Sequence, residues 1–117
     1  MVAVVDDDVS FRGALQRLLK SAGFPVRLFT SAEDFLKSGQ QHDTGCLIAD
    51  IRMPGMSGLD LQAKLNADHC LIPTIFITAH SDEKMRLQAM RGGAVKFLGK
   101  PFDDAILLES VRTAWKR

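Results

Sequence analysis

Five short apolar runs, at residues 2–5, 25–30, 46–49, 74–78 and 94–98, alternate along the chain with longer amphipathic stretches. This alternation restricts the fold more than any other feature. Four of the runs are rich in Val, Ile, Leu or Phe and lack polar alternation, the pattern of strands covered on both faces. Between them lie helical periods. In 11–22, Phe11, Ala14, Leu15, Leu18, Leu19 and Ala22 share one face, and Gly23 supplies a left-handed end with Phe24 placed to pack back. Asp8 or Ser10 can cap this helix. Ser31 and Asp34 read as a capping box opening a helix over 32–38. Further helices are expected over 58–67, over 82–91 ending at Gly92-Gly93, and over 103–115. Strand and helix alternating five times predict an α/β fold: a doubly wound, flavodoxin-like sheet of five parallel strands with five helices, in the order 2-1-3-4-5. A TIM barrel would need roughly twice the length.

The 117 residues suit one domain, read as 1–117, without repeats or linkers. Fifteen Lys and Arg against fourteen Asp and Glu leave a net charge of +1, which gives no reason to expect nucleic-acid or acidic-membrane binding. No apolar run nears the roughly 18 residues of a membrane span, and Met1 leads directly into a strand-like run, not a signal peptide. Cys46 and Cys70 form no C-x-x-C pair, so neither a zinc site nor a disulfide framework is expected. A cytoplasmic domain is expected.

In open parallel sheets ligands bind beyond the carboxyl ends of the strands. The first strand ends in Asp6-Asp7-Asp8. Capping uses one acidic side chain, but neighbouring carboxylates about 4 Å apart repel by roughly 4 kcal/mol at an effective dielectric near 20. A bound divalent cation would remove that cost. The third strand ends in Asp50. In the expected order it adjoins the first strand at about 4.8 Å, so Asp50 and the Asp6-Asp7 pair can share one ion. An all-oxygen set of two or three carboxylates suits Mg²⁺. The fourth strand ends in Thr78, and Lys100 follows the fifth. Singly, each residue reads as an ordinary turn, strand or surface residue. Together, a hydroxyl and a cation beside a metal-bound carboxylate form a set that holds phosphate.

Val4-Val5-Asp6-Asp7, the run Asp50 to Gly58, Ile77-Thr78-Ala79 and Phe97-Leu98-Gly99-Lys100-Pro101-Phe102 resemble the signatures of response-regulator receiver domains, closest to FixJ/NarL-type receivers. The likeness covers nearly the whole chain and implies a CheY-like fold. It implies that Asp50 accepts a phosphoryl group from a sensor histidine kinase. Asp7 would bind Mg²⁺ directly and Asp6 mainly through water, with the Arg52 backbone carbonyl as a further ligand. Thr78 and Lys100 would hold the phosphoryl oxygens, Phe97 would be the aromatic that moves on activation, and Lys100-Pro101 would be cis. The same likeness admits self-association on phosphorylation and a DNA-binding output domain outside this chain, consistent with transcription regulation. Arg52 and His80, each two residues past a site residue, would overhang the pocket. Gly99 and Phe97 depart from the commonest pattern, which has a side chain and a Tyr there.

Two other functions compete. A haloacid-dehalogenase-type phosphatase wants a second Asp two residues after the nucleophile, and Arg52 stands there. A receiver-like module that never takes phosphate has no need of mutually repelling carboxylates. Neither G-x-x-x-x-G-K-[ST] nor G-x-G-x-x-G occurs, and His42, His69 and His80 lack metal-ligand spacing.

Overall fold

The computed structural model of the protein describes residues 1–79 and 82–115. Strands β1 (Val2–Val5), β2 (Val26–Phe29), β3 (Cys46–Ala49), β4 (Thr74–Thr78) and β5 (Lys96–Gly99) alternate with helices α1 (Val9–Ser21), α2 (Ala32–Ser38), α3 (Gly58–Ala67), α4 (Glu83–Arg91) and α5 (Asp104–Ala114). The strands pair in parallel in the order β2-β1-β3-β4-β5, as the alternation predicts.

Successive side chains of a strand point to opposite faces, so each strand contributes to two cores. Ala3, Val5, Leu47, Ala49 and Phe76 face one core, completed by Phe35 of α2, Leu61 and Leu65 of α3 and Ala89 of α4. Val2, Val4, Cys46, Ile48, Ile75 and Ile77 face the other, closed by Leu15 and Leu19 of α1 and by Leu107 and Val111 of α5. The three central strands are buried at every residue, while β2 and β5 form the partly open edges. Burial pushes the Cys46 thiol up to about 12, which leaves it unreactive. Among the described residues, no helix is long and apolar enough to cross a membrane.

Capping chemistry sets the helix ends. Asp8 accepts the N–H groups of Ser10 and Phe11 at 3.0 and 3.2 Å, so α1 starts at Val9, ahead of its periodic face. Asp82 and Asp103 likewise stand outside α4 and α5 as caps. Only half of the expected Ser31–Asp34 box forms. Ser31 accepts the Asp34 N–H at 3.0 Å, but the Asp34 carboxylate takes the Thr30 hydroxyl at 2.6 Å. The reciprocal box occurs instead at Ser57 and Asp60, opening α3.

The fifth strand begins at Lys96, later than the apolar run suggests. Gly93 takes φ +101° and donates to the Met90 carbonyl, while Ala94 donates to the Ala89 carbonyl, both at 3.1 Å. Ala94 therefore closes α4 in a Schellman motif before pairing begins. Gly23 and Phe24 close α1 in the same way, as expected. A 3₁₀ turn at Gln41–Asp43 carries no periodic signal and was not expected.

The two-core packing predicts a sharp contrast between leucines. Leu15→Ala, at a fully buried position, should lose about 3 kcal/mol of stability in urea unfolding. Leu71→Ala, at a position 82% exposed, should stay within about 0.5 kcal/mol.

Candidate functional site

The sheet register brings the strand ends together. Val5 pairs with Ala49, so Asp6 and Asp50 leave adjacent strands at the same level. Thr78 pairs with Gly99, and the Lys100 N–H donates to the Thr78 carbonyl at 2.9 Å. Asp6, Asp50 and Thr78 are buried, whereas Asp7 is exposed. One carboxylate oxygen from each of Asp6, Asp7 and Asp50 lies within 4.8 Å of the others. The Lys100 ammonium donates to Asp6 Oδ2 at 3.1 Å and to Asp50 Oδ2 at 3.0 Å. The other oxygens are used as well: Asp6 Oδ1 accepts the Asp8 N–H at 2.9 Å, and Asp50 Oδ1 accepts the Arg52 N–H at 3.1 Å. The five residues read from the strand ends thus meet at one sheet edge.

The electrostatics of this cluster are uneven. Burial raises the Asp6 carboxyl above the usual carboxylate range, and the Asp50 charge adds to the rise. The Asp8 N–H and Lys100 oppose the shift without cancelling it. Burial lowers Lys100, but its hydrogen bonds and charge interactions with Asp50 and Asp6 together outweigh that, and its value is raised. Oxygen ligands from three carboxylates match a hard divalent cation, and the burdened Asp6 charge is what such an ion would relieve. The donor set fits Mg²⁺.

The remaining expected residues are spread more widely. Arg52 is exposed in the loop after Asp50. Phe97 lies in β5, paired with Phe76 and half-buried against the core that includes Ala89. Lys100-Pro101 is cis. A side chain at Gly99 would meet nothing nearer than the Thr78 carbonyl at 4.0 Å, so space does not force the glycine. His80 lies outside the described residues.

Three contributors escaped the strand-end reading. Gly58 must lack a Cβ, which would stand 2.4 Å from the Asp50 carbonyl oxygen. Its place at the end of the Asp50 run was the available signal. Glu33 of α2 accepts the Met56 N–H at 2.9 Å, which lowers the Glu33 carboxyl and ties down the loop after Asp50. Phe11 lies against Lys100. Nothing local in the sequence marks either contact.

A family model described as the response regulator receiver domain matches residues 2–112. Nodulation protein W of Bradyrhizobium diazoefficiens is 48% identical over 117 residues, covering 100% of this chain and 52% of that protein. Transcriptional regulatory protein FixJ of Azorhizobium caulinodans is 45% identical over 116 residues, covering 99% of this chain and 55% of that protein. The chain thus spans about half the length of these curated relatives. The solved structure of the response regulator StyR matches with a TM-score of 0.91 and 48% identity, over 97% of this chain and 58% of that one.

The charge arrangement has a pH signature. Because the folded state holds the Asp6 proton more tightly than the unfolded chain, this group's contribution to stability falls as pH rises from about 3.9 through its raised value. Asp6→Asn should therefore gain on wild type as pH rises across that window, then hold its advantage to neutrality. Lys100 follows the same sign in a higher window: it stabilises at neutral pH and loses that contribution only as pH rises from the ordinary lysine range through its raised value. Lys100→Met should cost about 3 kcal/mol near pH 7, since it leaves buried carboxylates uncompensated. Urea titrations of the three proteins at a series of pH values, without added Mg²⁺, measure both effects.

Proposed function

The chain belongs to the response regulator receiver family, and on that premise we propose that it receives a phosphoryl group on Asp50 from a sensor histidine kinase. The observation that carries this reading is the Lys100 ammonium bridging Asp6 and Asp50, two of the three carboxylates clustered with Asp7. An Asp50 oxygen attacks phosphorus as the bond to the donor's leaving atom breaks. The bonding electron pair departs with the leaving group, which is imidazole from the kinase or acetate from acetyl phosphate. A carboxylate is a weak nucleophile, so the transfer depends on positioning and charge neutralisation. Lys100 supplies a fixed positive charge at Asp50, and the buried Thr78 hydroxyl is the second group to meet the phosphoryl oxygens. Asp6, Asp7, Asp50 and the Arg52 carbonyl would hold Mg²⁺, which neutralises charge on the transferring group when bound. The domain thereby promotes its own phosphorylation and acts as a regulatory switch, not as an enzyme on an external substrate.

The output follows from a two-state element. Phosphorylation of Asp50 draws the Thr78 hydroxyl toward the new charge, and Phe97 follows it. The face built from α4, β5 and α5 then changes. Leu87, Met90 and Ile106 on that face are 40%, 38% and 48% exposed, an apolar surface suited to self-association or to an output partner. A DNA-binding output domain beyond this chain and a cytoplasmic location both accord with the reading.

Two measurements test it. With acetyl phosphate and Mg²⁺, intact mass should show one added phosphoryl group on wild type and none on Asp50→Asn, and Asp7→Ala should lose the Mg²⁺ dependence of both stability and labelling. Equal labelling of wild type and Asp50→Asn refutes the assignment. Amide hydrogen exchange with beryllofluoride should change protection within residues 82–100 of wild type, and Thr78→Ala should blunt that change. Changes confined to the loops around Asp50 would exclude this route.

A further inference from the structure

The Lys100 ammonium lies over the Phe11 ring, 3.9 Å from its centroid. An ammonium carries three donors and no acceptor. Here Asp6 and Asp50 take hydrogen bonds on one side, and the electron-rich face of the ring backs the cation on another. Phe11 is itself held. It sits in the first turn of α1, next to the Asp8 cap, and Phe102 meets it edge to face, with centroids 5.6 Å apart at 88°. Phe102 follows Lys100 by two residues, so the loop that carries the lysine also carries the ring that braces its support.

Lysine has a flexible four-carbon stem. Its side chain here is 16% exposed, so water competes for the ammonium. In the sequence Phe11 reads as one more apolar residue of the α1 face, and its packing against the α1–α5 core bears that out. Packing of that kind asks for bulk, which leucine also provides. A cation over the ring face asks for an aromatic.

We propose that Phe11 is a positioning residue for Lys100, its ring face keeping the ammonium directed at Asp6 and Asp50. This rests on the reading of Lys100 as the cation that meets the phosphoryl group on Asp50. Phe11 touches neither phosphoryl group nor metal in this scheme; it acts through the lysine.

The test separates ring electronics from bulk. Phe11→Leu keeps apolar volume and removes the face, Phe11→Trp keeps a face, and pentafluorophenylalanine at position 11 keeps the ring's shape while reversing the charge of its face. Initial rates of Asp50 labelling by acetyl phosphate with Mg²⁺ should fall about threefold to tenfold in the Leu and pentafluoro variants, and stay within about twofold of wild type in Phe11→Trp. A wild-type rate in the pentafluoro variant would overturn the proposal, because shape alone would then suffice. The second arm needs neither phosphodonor nor Mg²⁺. Proton NMR should place the Lys100 Hε resonances upfield in wild type, from the ring current of Phe11, and return them to ordinary lysine positions in Phe11→Leu. Unshifted resonances in wild type would also overturn it. If wild type takes no label on Asp50, the function proposed above fails, and the NMR arm still decides whether the ring holds the lysine.

Discussion

One ammonium between two carboxylates joins strand ends along the carboxyl edge of the sheet. Lys100 follows the edge strand β5, yet it bonds to side chains that leave β1 and β3, across the intervening β4. Parallel pairing makes this possible, since every strand delivers its last residue to the same edge. The cluster is not electrically settled: even with Lys100 present, burial keeps the Asp6 carboxyl above its usual range. The fold carries that strain because two apolar cores, fed by strands buried on both faces, supply stability elsewhere. The residues best placed to do chemistry are those the fold accommodates least comfortably.

The architecture was legible because its signal is repeated. Five apolar runs set apart by helical periods leave few alternatives, and right-handed crossovers turn them into a two-faced sheet. The strand-end residues were legible for the same reason, since a topology that aligns strand ends makes Asp6, Asp50, Thr78 and Lys100 neighbours despite their separation in the chain. Errors fell where local hydrogen bonds decide the outcome. The apolar character of Ala94 suggested strand, but its N–H is committed to the end of α4. Asp34 has the spacing for a reciprocal cap, but the hydroxyl of Thr30 takes its carboxylate first. The contacts of Glu33 with the Met56 N–H and of Phe11 with Lys100 span 23 and 89 positions, and periodicity carries no information about such pairs.

The neck of the loop that follows Asp50 has a consequence for how this domain can change. The Gly58 N–H donates to the Ile51 carbonyl at 2.9 Å, and the missing Cβ lets α3 press directly on the Asp50 carbonyl. Residues 52–57 are therefore a closed lariat whose knot lies on the backbone of Asp50 itself. Glu33 tethers the far side of the loop to α2 through Met56. Side chains on the outer rim, such as Arg52 and Pro54, can drift in sequence without pulling on the knot. Insertions would have to bulge outward at the rim, while a methyl group at the knot would reach Asp50 at once. Variation between descendants of this sequence is thus channelled to the rim, where it can alter what the site meets without altering the site.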